Sequence, residues 1–166
     1  MEGNNVKPRA LMVFGAPGSG KTTFGEKFAK KFGLAYFNLD ELKEKQSFTR
    51  KNILAIVELM TRTGQNLIFE GGMKSEKERV ELRNLLRDAG YDPSLIWLQT
   101  DVATLRTRLK SKYKSVSKAK EIYEKAVSEL EAPEESERPI ILSGKHTIET
   151  QTKHVISGLA EQIDNK

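Results

Sequence analysis

Cysteine is absent from this chain of 166 residues, which excludes a disulfide framework, a thiolate zinc site and a catalytic thiol. The absence suits a cytoplasmic protein, the expected localisation. Histidine is scarce. His146 and His154 stand eight apart with no carboxylate at ligand spacing, so no zinc set is expected and both read as surface residues. No apolar run approaches the ~18 residues that span a bilayer, so no membrane partner is expected. Residues 1–9 lack the apolar stretch of a signal peptide and read as a flexible N-terminal tail. Internal repeats, low-complexity linkers and the Asn-Lys-x-Asp signature of guanine recognition are also missing. The formal net charge is only +5, and few aromatics stand among the basic residues. That argues against a dedicated nucleic-acid-binding surface while remaining compatible with an anionic substrate.

What the chain does have is alternation. Short β-type runs at residues 10–14, 35–39, 66–69, 95–98 and 139–142 are each followed by helical spacing of apolar residues. The first run, Ala10-Leu11-Met12-Val13-Phe14, has no polar break, as expected of a strand buried on both faces. Helices are expected from about residue 21 to 32, from 41 to 45, from 49 to 63, after Ser75 with Glu78 completing a capping box, after Asp101 as N-cap, from 119 to a stop at Pro133, and after Gly144. Five strands, each followed by a helix, predict one α/β domain over residues 1–166, a three-layer fold around a five-stranded parallel sheet.

The strongest local signal is Gly15-Ala16-Pro17-Gly18-Ser19-Gly20-Lys21-Thr22, which matches G-x-x-x-x-G-K-S/T at every fixed position. Glycines let the backbone curl so that its N–H groups face inward as an anion nest. The loop opens a helix, whose unpaired N–H groups and dipole favour phosphate. Lys21 reaches the β- and γ-phosphates, the Thr22 hydroxyl ligates Mg²⁺, and Thr23 follows in the same first turn. A buried strand directly before and an amphipathic helix directly after supply the context the motif requires. The expected cofactors are ATP and Mg²⁺.

In an open α/β sheet, ligands sit beyond the carboxyl ends of the strands. Asp40 follows the second run and Glu70 ends the third. Asp40 is the candidate base for an acceptor hydroxyl and Glu70 the candidate for water-mediated metal binding. The plain alternatives are an N-cap for a helix starting at Glu41, and a solvated strand end. Positive charge must offset a migrating phosphoryl group. Arg108 and Lys112, four apart and on one helix face, are candidates, whereas Arg106 points elsewhere and reads as solvated. Arg79, Arg83 and Arg87 form a stripe that, with Glu76 and Glu78, reads as a salt-bridged surface face. Arg79 is the exception to watch in that stripe, because it lies in the turn nearest the site. Arg50 and Lys51 open a helix where an anionic acceptor could sit.

These residues together resemble the small P-loop kinases of the predicted-kinase family, grouped with zeta-toxin-like and phage-type polynucleotide kinase proteins. The resemblance is carried by residues 15–22, Asp40-Glu41-Leu42, the strand ending at Glu70, the Arg108 helix, and Glu131-Ala132-Pro133 leading to Pro139-Ile140-Ile141. It implies strand order 2-3-1-4-5, Asp40 as the acceptor-activating aspartate, Arg108 as the first lid arginine, residues 110–118 as a short lid, and residues 143–147 bordering the adenine. Two positions depart from the family pattern: Glu70 stands where aspartate is usual, and Lys112 where a second lid arginine is usual. Lysine keeps the charge but loses the planar fork. The implied function is an ATP-dependent kinase whose partner is a hydroxyl acceptor: a small molecule, a nucleoside or a nucleic-acid 5′ end. An adenylate-kinase-like nucleotide kinase and a non-kinase ATP-hydrolysing regulator are the alternatives.

Overall fold

The computed structural model describes residues 6–164. Its elements alternate as expected: β1 (Arg9–Phe14), α1 (Lys21–Phe32), β2 (Ala35–Asn38), α2 (Leu39–Gln46), α3 (Arg50–Thr61), β3 (Leu67–Glu70), α4 (Glu76–Asp88), β4 (Asp92–Gln99), α5 (Val102–Tyr113), α6 (Val116–Glu129), a 3₁₀ turn (Glu135–Glu137), β5 (Ile140–Ser143) and α7 (Ile148–Asp164). The strands form one parallel sheet in the order β2-β3-β1-β4-β5, the order implied by the resemblance.

β1 and its neighbours β3 and β4 are buried on both faces because their side chains alternate between two cores, whereas edge strand β5 leaves Ile141 exposed. From β1, Ala10, Met12 and Phe14 join Ile53, Val57, Leu82 and Leu86 of α3 and α4 on one face. Leu11 and Val13 join Phe24 and Phe28 of α1 and Val155 of α7 on the other. This is the physical content of the unbroken apolar run. Both capping boxes, Thr49 with Asn52 and Ser75 with Glu78, close their helix N-termini, and Asp101 caps α5.

Several boundaries differ from the sequence reading. Of the tail expected at residues 1–9, residues 1–5 lie outside the described residues, and Arg9 already belongs to β1. The helix after β2 starts two residues early, at Leu39, because Asn38 accepts from the Glu41 N–H and takes the cap. Asp40 is therefore in the first turn of α2 and is not its N-cap. β4 begins at Asp92 and includes Pro93. β5 joins only from Ile96, so the donor that Pro93 lacks falls on an open side of the sheet. Residues 110–118, which the resemblance implies to be a short lid, span the junction of two helices: α5 continues to Tyr113, Lys114 turns in the left-handed region, and Ser115 caps α6. α6 stops at Glu129, before Pro133, because Leu130 leaves the helix in an extended conformation and packs on the core.

The Arg79 stripe is the largest departure. Arg79 is fully buried and pairs with Glu137 at 2.8 Å, lying over Phe14 at 5.0 Å from the ring centre. Its guanidinium also donates to the Glu131 carbonyl. The stripe is not a surface face at this position, because Arg79 packs into the acidic stretch 131–138. Arginine and stretch are two halves of one buried contact.

Candidate active site

All five strands end at one edge of the sheet, and register decides which side chains meet there. Val13 and Asn38 both pair with Glu70, and Gln99 pairs with Ser143. The loop of residues 15–20 leaves β1 between them and enters α1. The backbone takes positive φ at Gly18 and Gly20, a conformation that other residues adopt only with strain. α1 differs from α3, α4, α5 and α6 at its start: each of those has a side-chain N-cap, whereas Gly20 gives none. Its leading N–H groups and dipole are left for an external anion. Ser19 is buried, and its hydroxyl has no hydrogen-bond partner among the described residues.

Lys21 folds back over the loop and donates to the carbonyls of Gly15 at 2.9 Å and Ala16 at 3.1 Å. Burial pushes its ammonium below the usual 10.5, against the opposing pull of Glu70 and Asp40. Thr22, one residue on, donates its hydroxyl to Glu70 at 2.8 Å. Glu70 is 4% exposed, so it is not a solvated strand end. A hydroxyl and a carboxylate held together are hard oxygen donors, and a chain of that chemistry fits Mg²⁺ rather than a soft metal.

Asp40 reaches the same region from α2. Its carboxylate accepts from the Gly72 N–H at 2.9 Å. Gly71 makes the approach feasible: its φ is +79°, and a Cβ there would stand 2.3 Å from the Asp40 carboxylate. Arg50, expected at an acceptor site, is committed elsewhere. It donates to the carbonyls of Gly72 and Glu78 and pairs with Glu81 at 2.9 Å. These contacts tie α3 to the turn that presents Gly72 to Asp40. Beside Asp40 lies a cavity of about 50 Å³, bounded by Lys21, Gly72, Met73, Ala126 and Leu130, so α6 covers it.

On the opposite side of the loop, α5 supplies Arg108. Its guanidinium donates to the carbonyls of Gly18 at 3.0 Å and Gly144 at 2.9 Å, joining the phosphate loop to the turn after β5. Lys112, one helical turn on, lines the same open cleft of about 490 Å³ as Thr22, Thr23 and Lys27. Gly144, His146 and Thr147 form its far wall, where the resemblance places the adenine border. Arg106 instead lies over the Tyr123 ring at 5.1 Å, away from the cleft. His146 and His154 are exposed and meet edge-on at 5.8 Å.

The structure thus gathers Lys21, Thr22, Asp40, Glu70, Arg108 and Lys112 around one loop. Sequence reasoning missed Tyr36, whose hydroxyl also donates to Glu70, and the Gly71-Gly72 cradle of Asp40. Two adjacent glycines after a strand were the available signal for the cradle. Nothing local marks Tyr36.

A protein-family profile described as an AAA domain matches residues 11–133. No curated protein matches the chain significantly. Among solved structures, a gluconokinase from Sinorhizobium meliloti is similar at 19% identity and TM-score 0.73, with 96% of this chain and 95% of that one covered. An APS kinase from Mycobacterium tuberculosis, solved with AMPPNP and APS, is similar at 21% identity and TM-score 0.69, covering 93% and 98%. A shikimate kinase from Aquifex aeolicus is similar at 14% identity and TM-score 0.57, covering 95% and 99%. At these identities the likeness concerns the fold.

Proposed function

The chain belongs to the AAA domain family, and from that premise we propose that it is an ATP-dependent kinase that transfers the γ-phosphoryl group to a hydroxyl. The observation that carries the reading is the placement of Asp40. It is held by the Gly72 N–H beside a cavity that Lys21 also borders, on the side of the phosphate loop away from the nucleotide cleft. A nucleotide in the cleft would present its terminal phosphate between the two. Structural neighbours that are small-molecule kinases support the same reading.

In this mechanism, the N-terminus of α1 and the loop N–H groups bind the phosphates. Lys21 exchanges the Gly15 and Ala16 carbonyls for phosphate oxygens. Thr22 and Glu70 would hold Mg²⁺, which neutralises charge on the phosphates when bound. The acceptor oxygen bonds to the γ-phosphorus, the bond to the β-phosphate bridging oxygen breaks, ADP leaves, and Asp40 takes the acceptor proton. Lys112 and Arg108 add positive charge at the cleft, with Arg108 also bracing the turn after β5. The finer grouping with zeta-toxin-like and phage-type polynucleotide kinases rests on Asp40, Arg108 and residues 131–141, and leaves the acceptor as a small molecule, a nucleoside or a nucleic-acid 5′ end. No described helix is long and apolar enough to cross a membrane, and this reading places the enzyme in the cytoplasm.

One observation favours a second reading. The cavity beside Asp40 is about 50 Å³, far below the roughly 300 Å³ at which ligand pockets begin. An ATP-hydrolysing regulator needs no acceptor pocket. A screen with γ-labelled ATP against sugars, nucleosides and 5′-hydroxyl oligonucleotides separates the two. Acceptor-dependent label transfer that disappears in Asp40→Asn supports the kinase. Acceptor-independent phosphate release at the full rate refutes it.

A further inference from the structure

Among the described residues, Tyr36 hydrogen-bonds the Glu70 carboxylate without belonging to the phosphate loop or its motif. Its hydroxyl donates to Oε2 of Glu70 at 2.5 Å, while Thr22 donates to Oε1 at 2.8 Å. Both carboxylate oxygens are therefore engaged from opposite elements, α1 and β2.

The sheet register explains why Tyr36 can do this. Tyr36 pairs with Ile68, and Asn38 pairs with Glu70. Tyr36 and Glu70 thus stand diagonally across neighbouring strands on one face, the face that α1 covers. Where the ring passes α1, the helix has Gly25. A Cβ there would lie 2.7 Å from the Tyr36 ring, closer than packing permits. A glycine in a helix interior lowers helix stability by roughly 1 kcal/mol relative to alanine, and the room it leaves is filled by this one ring. A glutamate also has one more rotatable bond than an aspartate, so its carboxylate needs more restraint to stay in one place.

We infer that Tyr36 is a positioning residue for the metal bound at Thr22 and Glu70, with Gly25 providing the space that lets its hydroxyl reach the carboxylate. The inference rests on the reading of Thr22 and Glu70 as the Mg²⁺-holding pair. A hydroxyl has one proton and two lone pairs, so Thr22 can keep its bond to Glu70 while offering oxygen to the cation. Tyr36 then fixes the other carboxylate oxygen and with it the plane of the group. Partners of metal ligands of this kind are worth about 10- to 100-fold in affinity or activity.

The test uses the full chain with AMPPNP, and Mn²⁺ as the probe, read by electron paramagnetic resonance as free against bound metal. AMPPNP affinity without metal is measured in parallel by calorimetry. In Tyr36→Phe, metal-free AMPPNP affinity stays within about twofold, and Mn²⁺ affinity of the nucleotide complex falls about tenfold. Gly25→Ala reproduces that loss with the tyrosine still present, which guards against an effect of removing the hydroxyl on folding. Glu70→Gln lowers Mn²⁺ affinity at least as far, and adding Tyr36→Phe to it brings no further loss. Wild-type Mn²⁺ affinity in Tyr36→Phe alongside weakened affinity in Glu70→Gln overturns the role of Tyr36 while leaving Glu70 at the metal. Wild-type affinity in Glu70→Gln overturns the metal assignment and the inference together.

Discussion

The Arg79 guanidinium and the Glu137 carboxylate meet side by side in the interior, Nε to Oε2 and Nη2 to Oε1, both at 2.8 Å. The guanidinium of the pair stacks on Phe14, the residue that delivers the chain into the phosphate loop. The pair ties the start of α4 to the segment after α6, so it sets the height at which Leu130 closes the cavity beside Asp40. Breaking such a pair leaves a charge buried without a partner.

Arg79→Met or Glu137→Gln is therefore expected to lower stability by about 3–5 kcal/mol, and a double change to apolar residues of similar volume to recover much of it. Urea unfolding of the three variants checks this. The pair also predicts an acid limb. Burial pushes the Glu137 carboxyl up, but hydrogen bonds from Arg79 and the Glu134 N–H outweigh it and hold it below its usual 4.5. Its contribution is fully present above that value and is lost as pH falls through the lowered one. The unfolding free energy of Glu137→Gln should have a shallower slope over that acid range than that of the wild type.

Gly71→Ala should behave as a lesion of Asp40. The added Cβ would stand 2.3 Å from its carboxylate, so Asp40 must leave the Gly72 N–H. Turnover is expected to fall by about 10²–10⁴, the range for losing a general base, with nucleotide affinity nearly intact. Asp40→Asn should match it. Steady-state kinetics beside calorimetric nucleotide affinity makes the comparison, and unchanged turnover in either variant would take Asp40 out of the mechanism.

The half-buried Lys21 makes nucleotide binding depend on protons. With its pKa lowered from 10.5 by burial, the folded protein binds fewer protons than the unfolded chain between the lowered value and 10.5. Over that interval the stability of the nucleotide-free protein gains with rising pH. Phosphate beside the ammonium restores the charged form, so nucleotide binding there should take up a proton. Calorimetry in buffers of different ionisation heat, at pH values approaching 10.5, measures the uptake, and Lys21→Met should abolish the corresponding stability slope.

Arg108→Lys should weaken nucleotide binding despite keeping the charge. The guanidinium spans two carbonyls, of Gly18 and Gly144, with two separate nitrogens, and an ammonium cannot reproduce that planar reach. KM for ATP is expected to rise about tenfold, equivalent to the roughly 1.5 kcal/mol of a hydrogen bond to a charged group. An unaltered KM would mean that the turn after β5 is braced by other contacts.

The strands and the phosphate loop were readable because each leaves a local mark, whereas the strand order came only from the family resemblance. β1 is continuous in apolar residues, the loop has fixed spacing, and Ser75 and Asp101 announce their helices. Asp40 and Glu70 were readable from their place at strand ends, but what holds them was not. Arg79 at helical spacing from Arg83 looks like a surface stripe, since only Glu137, 58 residues away, shows it to be buried. Tyr36 and Gly25 become partners only once β2 lies under α1. The cap of α2 was misplaced because Asn38 and Asp40 are both good caps, and the pairing of Asn38 with Glu70 fixes where β2 ends.

The claim underlying all of this is that the loop around Ser19 and Lys21 receives the phosphates of a magnesium-complexed nucleotide. Isothermal calorimetry of the folded protein with Mg²⁺·AMPPNP measures it directly. The account predicts saturable one-to-one binding that is lost in Lys21→Ala. A well-folded protein that gives no binding heat with this or any other magnesium-complexed purine nucleotide, across temperatures, would contradict it.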